Sequence, residues 1–278
     1  MYKSLCSILL MLLGTIHIAA QPDDVLMREQ IDEYLIEARR GDPEAQYNLG
    51  LCYIHGNGVD MSYEEAAKWF EKAAKQGHAD AQYNLGVSYL KGQGVRQDYT
   101  EAVKWFSLAA NKGNVDAMYN LATSYMNGEG TEQNIEQAIA LYEQASAKGH
   151  VKAQRVLGDC YFFGMGIPKD FEKAVEWYTL AAENGDADTQ YELGFMYFTG
   201  NGVEKHDEMA VFWFRKAAEQ GNAFAQYMLG CCLEKGQGTT QNLEEAALWY
   251  EKAAKQGHSE AQEKIRSTYP PSLYGGGE

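Results

Sequence analysis

The stretch LGVSYLKGQGV at residues 85–95 returns with small changes at Leu49, Leu121, Leu157, Leu193 and Leu229, each 36 residues from the next copy. A fixed interval of that size constrains the fold more than any local motif, because it marks one supersecondary unit stacked on copies of itself. Ala45-Gln46, Ala81-Gln82, Ala153-Gln154, Ala225-Gln226 and Ala261-Gln262 keep the interval, with Ala117-Met118 and Thr189-Gln190 as variants. Gly56/Gly58, Gly92/Gly94, Gly128/Gly130, Gly164/Gly166, Gly200/Gly202 and Gly236/Gly238 keep it too. So do Trp69, Trp105, Trp177, Trp213 and Trp249, with Leu141 in the remaining place. Six copies follow one another without insertion over residues 42–256.

Each unit reads as two helices. Ala81, Leu85, Gly86 and Tyr89 fall on one helical face, which predicts a first helix, A, over about residues 79–91. Gly86 has no Cβ to hold a neighbouring helix away, and Gly92 and Gly94 stop the helix. Helix B is predicted to start at a capping residue: Ser62, Asp98, Asn134, Asp170 or Asn242. His206 holds that place in the fifth unit, where Asp207 is expected to take over the cap. Ser62 with Glu65, and Asn134 with Gln137, have capping-box spacing. Ala66, Trp69, Phe70, Ala73 and Ala74 form the expected buried stripe, and Glu64–Lys68 and Glu71–Lys75 the outer ion pairs. His78, Asn114, His150, Asp186, Asn222 and His258 are the expected starts of the following A helices.

One such hairpin cannot cover its own apolar face, so the units must stack and the ends need caps. The expected organisation is a signal segment over residues 1–20, an N-terminal capping helix within 21–41, the six repeats over 42–256, and a capping helix with a loose tail over 257–278. Lys3, the apolar run from Leu5 to Leu13 and the small residues before Gln21 are the layout of a secretory signal peptide. The run is short for a membrane span, so no membrane insertion is expected after cleavage. Periplasmic or extracellular location is expected, ahead of the endoplasmic reticulum lumen, since the sequence closes on Gly-Gly-Gly-Glu rather than a retention tetrapeptide. The net charge of −15 argues against nucleic acid and anionic membrane as partners.

Chemistry is sparse. GQGVRQD lacks the third glycine and the Lys-Ser/Thr of phosphate loops, and helix termination accounts for all six copies. His55, His78, His150, His206 and His258 have no metal or catalytic spacing, and no serine sits in a nucleophile elbow. No catalytic residue, metal or cofactor is expected, and the chain reads as a non-enzyme.

Ala-Gln-Tyr-Asn-Leu-Gly, then Gly-x-Gly-Val, Glu-Ala-x-Lys-Trp-Phe and Ala-Ala-Lys-Gln-Gly-His, taken in order, resemble the Sel-1-like repeat of the tetratricopeptide group. The resemblance covers about 230 of the 278 residues. It implies an all-α, right-handed α-solenoid with a concave surface lined by the A helices, and a scaffold that binds a protein or peptide there. Exported bacterial relatives include host-interaction factors, periplasmic regulators and immunity proteins against lipase toxins, which makes a dedicated-partner role the first alternative. A cysteine-rich branch from Helicobacter ties each repeat with a cysteine pair, and some of its members are associated with β-lactam binding or cleavage. Here Cys52, Cys160 and Cys232 share one register three or two units apart, beyond disulfide reach, and Cys231 adjoins Cys232. The three are expected as buried thiols, and an enzyme acting on β-lactams is the weaker alternative.

Positions constant across the units serve the stack, and positions that change are free to serve a partner. The most changeable registers on helix A are Leu51, Val87, Thr123, Asp159, Phe195, Cys231 and His55, Lys91, Asn127, Phe163, Thr199, Lys235. By analogy with tetratricopeptide grooves both should face the concave side. A third register holds Tyr47, Tyr83, Tyr119, Arg155, Tyr191 and Tyr227, a ladder expected to be mainly structural. The expected groove residues are Tyr83, Tyr119, Arg155, Asp159, Phe163, Tyr191, Phe195, Phe224 and Tyr227, with the strongest contacts over 155–224.

Overall fold

The computed structural model describes residues 22–268. The expected signal segment, with Cys6, and the expected tail from Pro270 to Glu278 lie outside the described residues. All regular structure among those residues is helical. They fall into two compact units, one up to Ala109 and one from Ala110 onward. The first contains α1 (Pro22–Arg40), α2 (Pro43–His55), α3 (Tyr63–Lys75), α4 (Ala79–Lys91) and most of α5 (Tyr99–Asn111). The second contains α6 (Val115–Asn127), α7 (Ile135–Ala147), α8 (Val151–Phe163), α9 (Phe171–Glu183), α10 (Ala187–Thr199), α11 (Asp207–Glu219), α12 (Ala223–Lys235), α13 (Leu243–Lys255) and α14 (Ser259–Ser267). In the first unit α1 packs on α2, α2 on α3 and α3 on α4; the same succession runs from α6 to α14 in the second. This is the all-α solenoid arrangement, with α2 to α12 as the even-numbered A helices and α3 to α13 as the odd-numbered B helices. Ile31 and Ala38 of α1 bury against Ala45 and Leu49, and Ile265 of α14 packs on the core of the last repeat.

The helix boundaries follow from their caps. The side chains of His78, Asn114, His150, Asp186, Asn222 and His258 each accept the N–H three residues on, as the sequence predicts. Ser62, Asn134, Asp170 and Asn242 do the same for B helices. In the fifth repeat the cap is His206 itself, whose Nδ1 accepts from the Met209 N–H at 3.3 Å; Asp207 is the first helical residue and accepts instead from Gln237 Nε2 at 3.0 Å. The capping box is only half formed. Glu65 N–H donates to Ser62 Oγ, but the Ser62 N–H donates to Tyr53 O at 2.9 Å, which ties the loop back to helix A and leaves Glu65 to pair with Lys68.

Two glycines show how tightly the hairpins close. A Cβ on Gly86 would stand 2.7 Å from the Phe106 ring, so the helix A backbone lies directly on the aromatic side chain of its own helix B. Gly50/Phe70, Gly158/Tyr178, Gly194/Phe214 and Gly230/Tyr250 repeat the contact, while the third repeat uses Ala122 in the glycine's place. Gly94 has a φ of 75°, and a Cβ there would run into the Tyr63 carbonyl, so the second loop glycine lets the turn rest on the preceding B helix.

A buried amide joins successive repeats. Gln82 Nε2 donates to Ala74 O of the preceding B helix at 3.1 Å, as Gln46, Gln190, Gln226 and Gln262 do at their own registers. Gln226 Oε1 in turn accepts from Gln256 at 2.8 Å, with equivalent bonds from Gln76 to Gln46 and Gln220 to Gln190. Gln46, Gln190 and Gln226 thus each hold two helices at once, whereas the third repeat has Met118 at this register and Gln82 Oε1 is buried without a hydrogen-bond partner. Of the five tryptophans, Trp105, Trp213 and Trp249 are buried, but Trp69, expected in the buried stripe, and Trp177 are half-buried, with Lys72 Nζ 3.5 Å above the Trp69 ring. The outer pairs Glu64–Lys68 and Glu71–Lys75 form at 2.8 Å and 2.7 Å; exposed as they are, each contributes little.

Gly86→Val, which drives a branched side chain into the Phe106 ring, is expected to lower the unfolding free energy by about 1–3 kcal/mol, measured by urea denaturation. The His150 cap predicts a pH effect. Its Nδ1 must stay unprotonated to accept the Ala153 N–H at 3.1 Å, and its ring stacks on Tyr119 with Asp116 Oδ1 3.3 Å from Nε2. Burial pushes its pKa below the ordinary value, although Asp116 opposes this and Lys152 adds to it. The unfolded chain therefore takes up the proton more readily, and stability present above pH of about 6.5 falls as the pH drops through the lowered value. His150→Asn, which copies the cap at Asn114 and Asn222, is expected to remove that part of the pH dependence of the unfolding free energy.

Candidate functional site

The changeable register Leu51, Val87, Thr123, Asp159, Phe195, Cys231 is coupled to helix B. Where helix B brings phenylalanine (Phe70, Phe106, Phe214), the register is Leu51, Val87 or Phe195. Where it brings tyrosine, the register supplies a polar partner. Tyr142 and Thr123 hydroxyls lie 2.9 Å apart, Tyr178 OH donates to Asp159 Oδ1 at 2.8 Å, and Tyr250 OH meets Cys231 Sγ at 3.4 Å and Glu234 Oε2 at 3.0 Å. A phenol buried by its own helix pair needs such an acceptor or donor. Burial pushes the Tyr142 hydroxyl up to about 12 and holds the Tyr178 and Tyr250 hydroxyls well above the ordinary phenol range. Burial also raises the Asp159 carboxyl, against the opposing pull of the Tyr178 hydrogen bond and the Arg155 charge.

The tyrosine register is coupled to the following N-cap. Tyr47 stacks on His78, Tyr119 on His150 and Tyr227 on His258, with ring centroids 4.7, 4.6 and 4.6 Å apart. Where the next N-cap is Asp186, the register holds Arg155, whose Nη1 lies 3.5 Å from Asp188 Oδ2. Arg155 and Asp159 therefore have partners inside the stack that account for their difference from the other repeats. Tyr83 lies in the first unit, against the Phe106 ring at 6.1 Å.

The second residue of the A helix completes the pattern in most repeats, the fourth having Lys152 there. Glu44 reaches His78 Nε2 at 3.0 Å, Asp116 reaches His150, and Asp188 accepts from Asn222 Nδ2 at 3.0 Å. At Phe224 this carboxylate is missing, and an aromatic ring takes its place, edge-on to His258 with centroids 5.2 Å apart. Phe224 is 59% exposed and Phe195 39%. Tyr191 lies between them, 6.2 Å from Phe195 and 5.9 Å from Phe224. A continuous line of rings, Phe195–Tyr191–Phe224–His258–Tyr227, thus crosses α10, α12 and the start of α14. It runs past the expected limit at residue 224. Phe163, 59% exposed, stands apart from this line, with its edge contact to Phe162, which also touches Phe171. His258 was legible only as a cap; its recurrence with His78 and His150, one repeat after a tyrosine, is the signal for its second role.

Cys160 and Cys232 are buried as expected, but Cys52 and Cys231 are only partly so, and all four are free thiols. Burial raises the Cys160 thiol to about 11 and the Cys232 thiol to about 12. Among the described residues no group of three His, Cys, Asp or Glu side chains is placed to hold a metal ion, and no helix is long and apolar enough to cross a membrane.

Hairpins of A and B helices, joined by Gly-x-Gly turns and tied by a buried glutamine, define a tandem helical-repeat protein. The Sel1 repeat model matches six times in succession, over residues 43–78, 79–114, 115–150, 151–186, 187–222 and 223–258. The chain belongs to the Sel1 repeat family, whose members are in general protein-interaction scaffolds and typically non-catalytic. It is similar to a protective antigen of uropathogenic Escherichia coli strains with an SLR fold: 35% identity, TM-score 0.83, covering 89% of this chain and 53% of that one. The chain thus spans about half the length of that antigen. It is also similar to a Sel1 repeat protein from Oxalobacter formigenes, at 34% identity and a TM-score of 0.70, covering 78% of this chain and 89% of that one. An immunity protein from Pseudomonas aeruginosa matches at 26% identity and a TM-score of 0.41 over 70% of this chain and 73% of that one. No curated protein matches the chain in sequence.

Tyr178→Phe removes the hydroxyl that holds the Asp159 carboxyl down. The Asp159 titration followed by carboxyl carbon NMR is expected to move further up, with a stability loss of about 1–3 kcal/mol; an unmoved titration would refute the pairing.

Proposed function

We propose that this chain is an exported, non-catalytic binding module that holds a protein or peptide partner on the aromatic line of its second unit. The observation that carries the reading is the exposure of Phe195 and Phe224 at registers where the stack makes no use of a large ring. Exposed aromatic side chains set beside one another supply most of the binding energy of a protein interface for little ordering cost. Of the expected groove residues, Tyr191, Phe195, Phe224 and Tyr227 are the core of this reading, since Arg155 and Asp159 already have partners within the repeats. Tyr119 and Phe163 lie in the second unit but off this line, and Tyr83 belongs to the first unit. The acidic net charge of −15 supports a protein rather than a nucleic acid as the guest. Residues 1–20 would direct export to a periplasmic or extracellular place. The free thiols offer no repeat-by-repeat disulfide framework, which weighs against a β-lactam-directed enzyme.

A photo-cross-linking residue placed at Phe224 in the producing cell is expected to trap a partner, while the same residue at Glu136 on α7 traps none. One recurrent adduct would support a dedicated immunity or host-interaction partner, and several would support an adaptor. No adduct from either Phe224 or Phe195 would overturn the binding reading.

A further inference from the structure

The rim of the aromatic line is carboxylate. Asp188 and Glu192 on α10 flank Tyr191, and Glu234 on α12 with Glu260 on α14 flank Tyr227. The two cations close to these acids are already engaged: Arg155 Nη1 lies 3.5 Å from Asp188, and Lys264 Nζ lies 2.8 Å from Glu234 Oε2. Glu192 has no ion-pair partner among the described residues. Its carboxyl is pushed up by burial and by Asp159 and Asp188, with Arg155 opposing, so the acids of this rim feel one another. The Tyr191 hydroxyl is raised by burial and by Glu192. That of Tyr227 is raised to about 12, by burial and Cys231 first and by Glu260 and Glu234 after them. The ring faces are therefore set in a negative field on a chain whose net charge is −15.

We propose that the occupant of this line is a segment of another protein in which lysine or arginine alternates with aromatic or branched apolar side chains. The inference rests on the binding reading above and adds the chemistry of the partner. Apolar side chains of such a segment cover Phe195 and Phe224, whose rings are otherwise in water. Its cations lie over the ring faces with a carboxylate behind them, an attraction that joins ring quadrupole and ion pair. The chain makes the same contact within itself, with Lys72 Nζ 3.5 Å over Trp69 and Lys252 Nζ 3.8 Å over Trp249. An acidic segment would meet Asp188, Glu192 and Glu260 with like charge.

Three labelled twelve-residue peptides test this by fluorescence anisotropy at 150 mM salt: alternating Lys-Phe, alternating Glu-Phe and alternating Lys-Ser. The Lys-Phe peptide is expected to bind at least tenfold more tightly than either of the others. Phe224→Ser is expected to weaken it about tenfold, and Asp188→Asn with Glu192→Gln about as much. Glu132→Gln with Glu136→Gln makes the same change in net charge away from the line and should leave Kd within about twofold, with thermal melts confirming that each variant folds. Equal binding of the Glu-Phe peptide, or equal weakening by the distant pair of substitutions, would overturn the proposal. The cross-linking experiment separates the two levels: an adduct at Phe224 that maps to an acidic segment overturns the chemistry and keeps the binding site, whereas absence of any adduct removes the site itself.

Discussion

A hairpin of two thirteen-residue helices cannot dry its own apolar stripe. Every other feature of the described structure follows from the way neighbours do it for one another. The Ala66, Phe70, Ala73 and Ala74 face of one B helix is completed by Ala81 and Leu85 of the next A helix. Small residues are required on both sides, because the glycine on helix A receives a ring at van der Waals distance. That closeness shuts out water, so each polar atom at the seam must find a partner there. Gln46, Gln190 and Gln226 meet this requirement with both ends of one amide, donating to one helix and accepting from another, while the Oε1 of Gln82 is left without a partner.

The same closeness explains which parts of the fold were legible in the sequence. Period, helix type, caps and hairpin glycines are each written at single positions, and six copies average away local ambiguity. Pairwise chemistry was harder to see. Comparing repeats one register at a time made Asp159 and Arg155 look free of structural duty, because each differs from its five counterparts. Set beside the position each one touches, the differences become dependent: tyrosine on helix B goes with Thr123, Asp159 or Cys231, and Arg155 meets Asp188. These couplings were present in the sequence but visible only as joint substitutions. The His206 cap was misread for a related reason, since an imidazole nitrogen accepts a backbone N–H as well as a carboxylate does and needs no substitute beside it.

What remains after the couplings are removed is short. Phe195 sits where helix B supplies phenylalanine and asks for nothing polar, and it stays exposed. Phe224 stands where every other repeat but the fourth, which has Lys152, places a carboxylate, and it makes an edge contact with His258 instead. Both departures fall in neighbouring repeats, and Tyr191 bridges them. Their meeting on adjacent A helices is a property of the fold that composition could not supply. Phe163, equally exposed, points to a different neighbourhood and shows that exposure alone does not assemble a surface.

The glutamine ties carry a consequence for how such a chain can change its length. Where the tie is complete, at Gln46, Gln190 and Gln226, one amide reaches backwards to one helix and is reached by another, so excising a whole 36-residue unit joins like to like and keeps the register of these bonds. Cutting out any other length leaves a carbonyl and an amide stranded in a dry place. Gene-level duplication and loss are thereby confined to whole-number steps, and the array grows or shrinks the way a chain of identical links does.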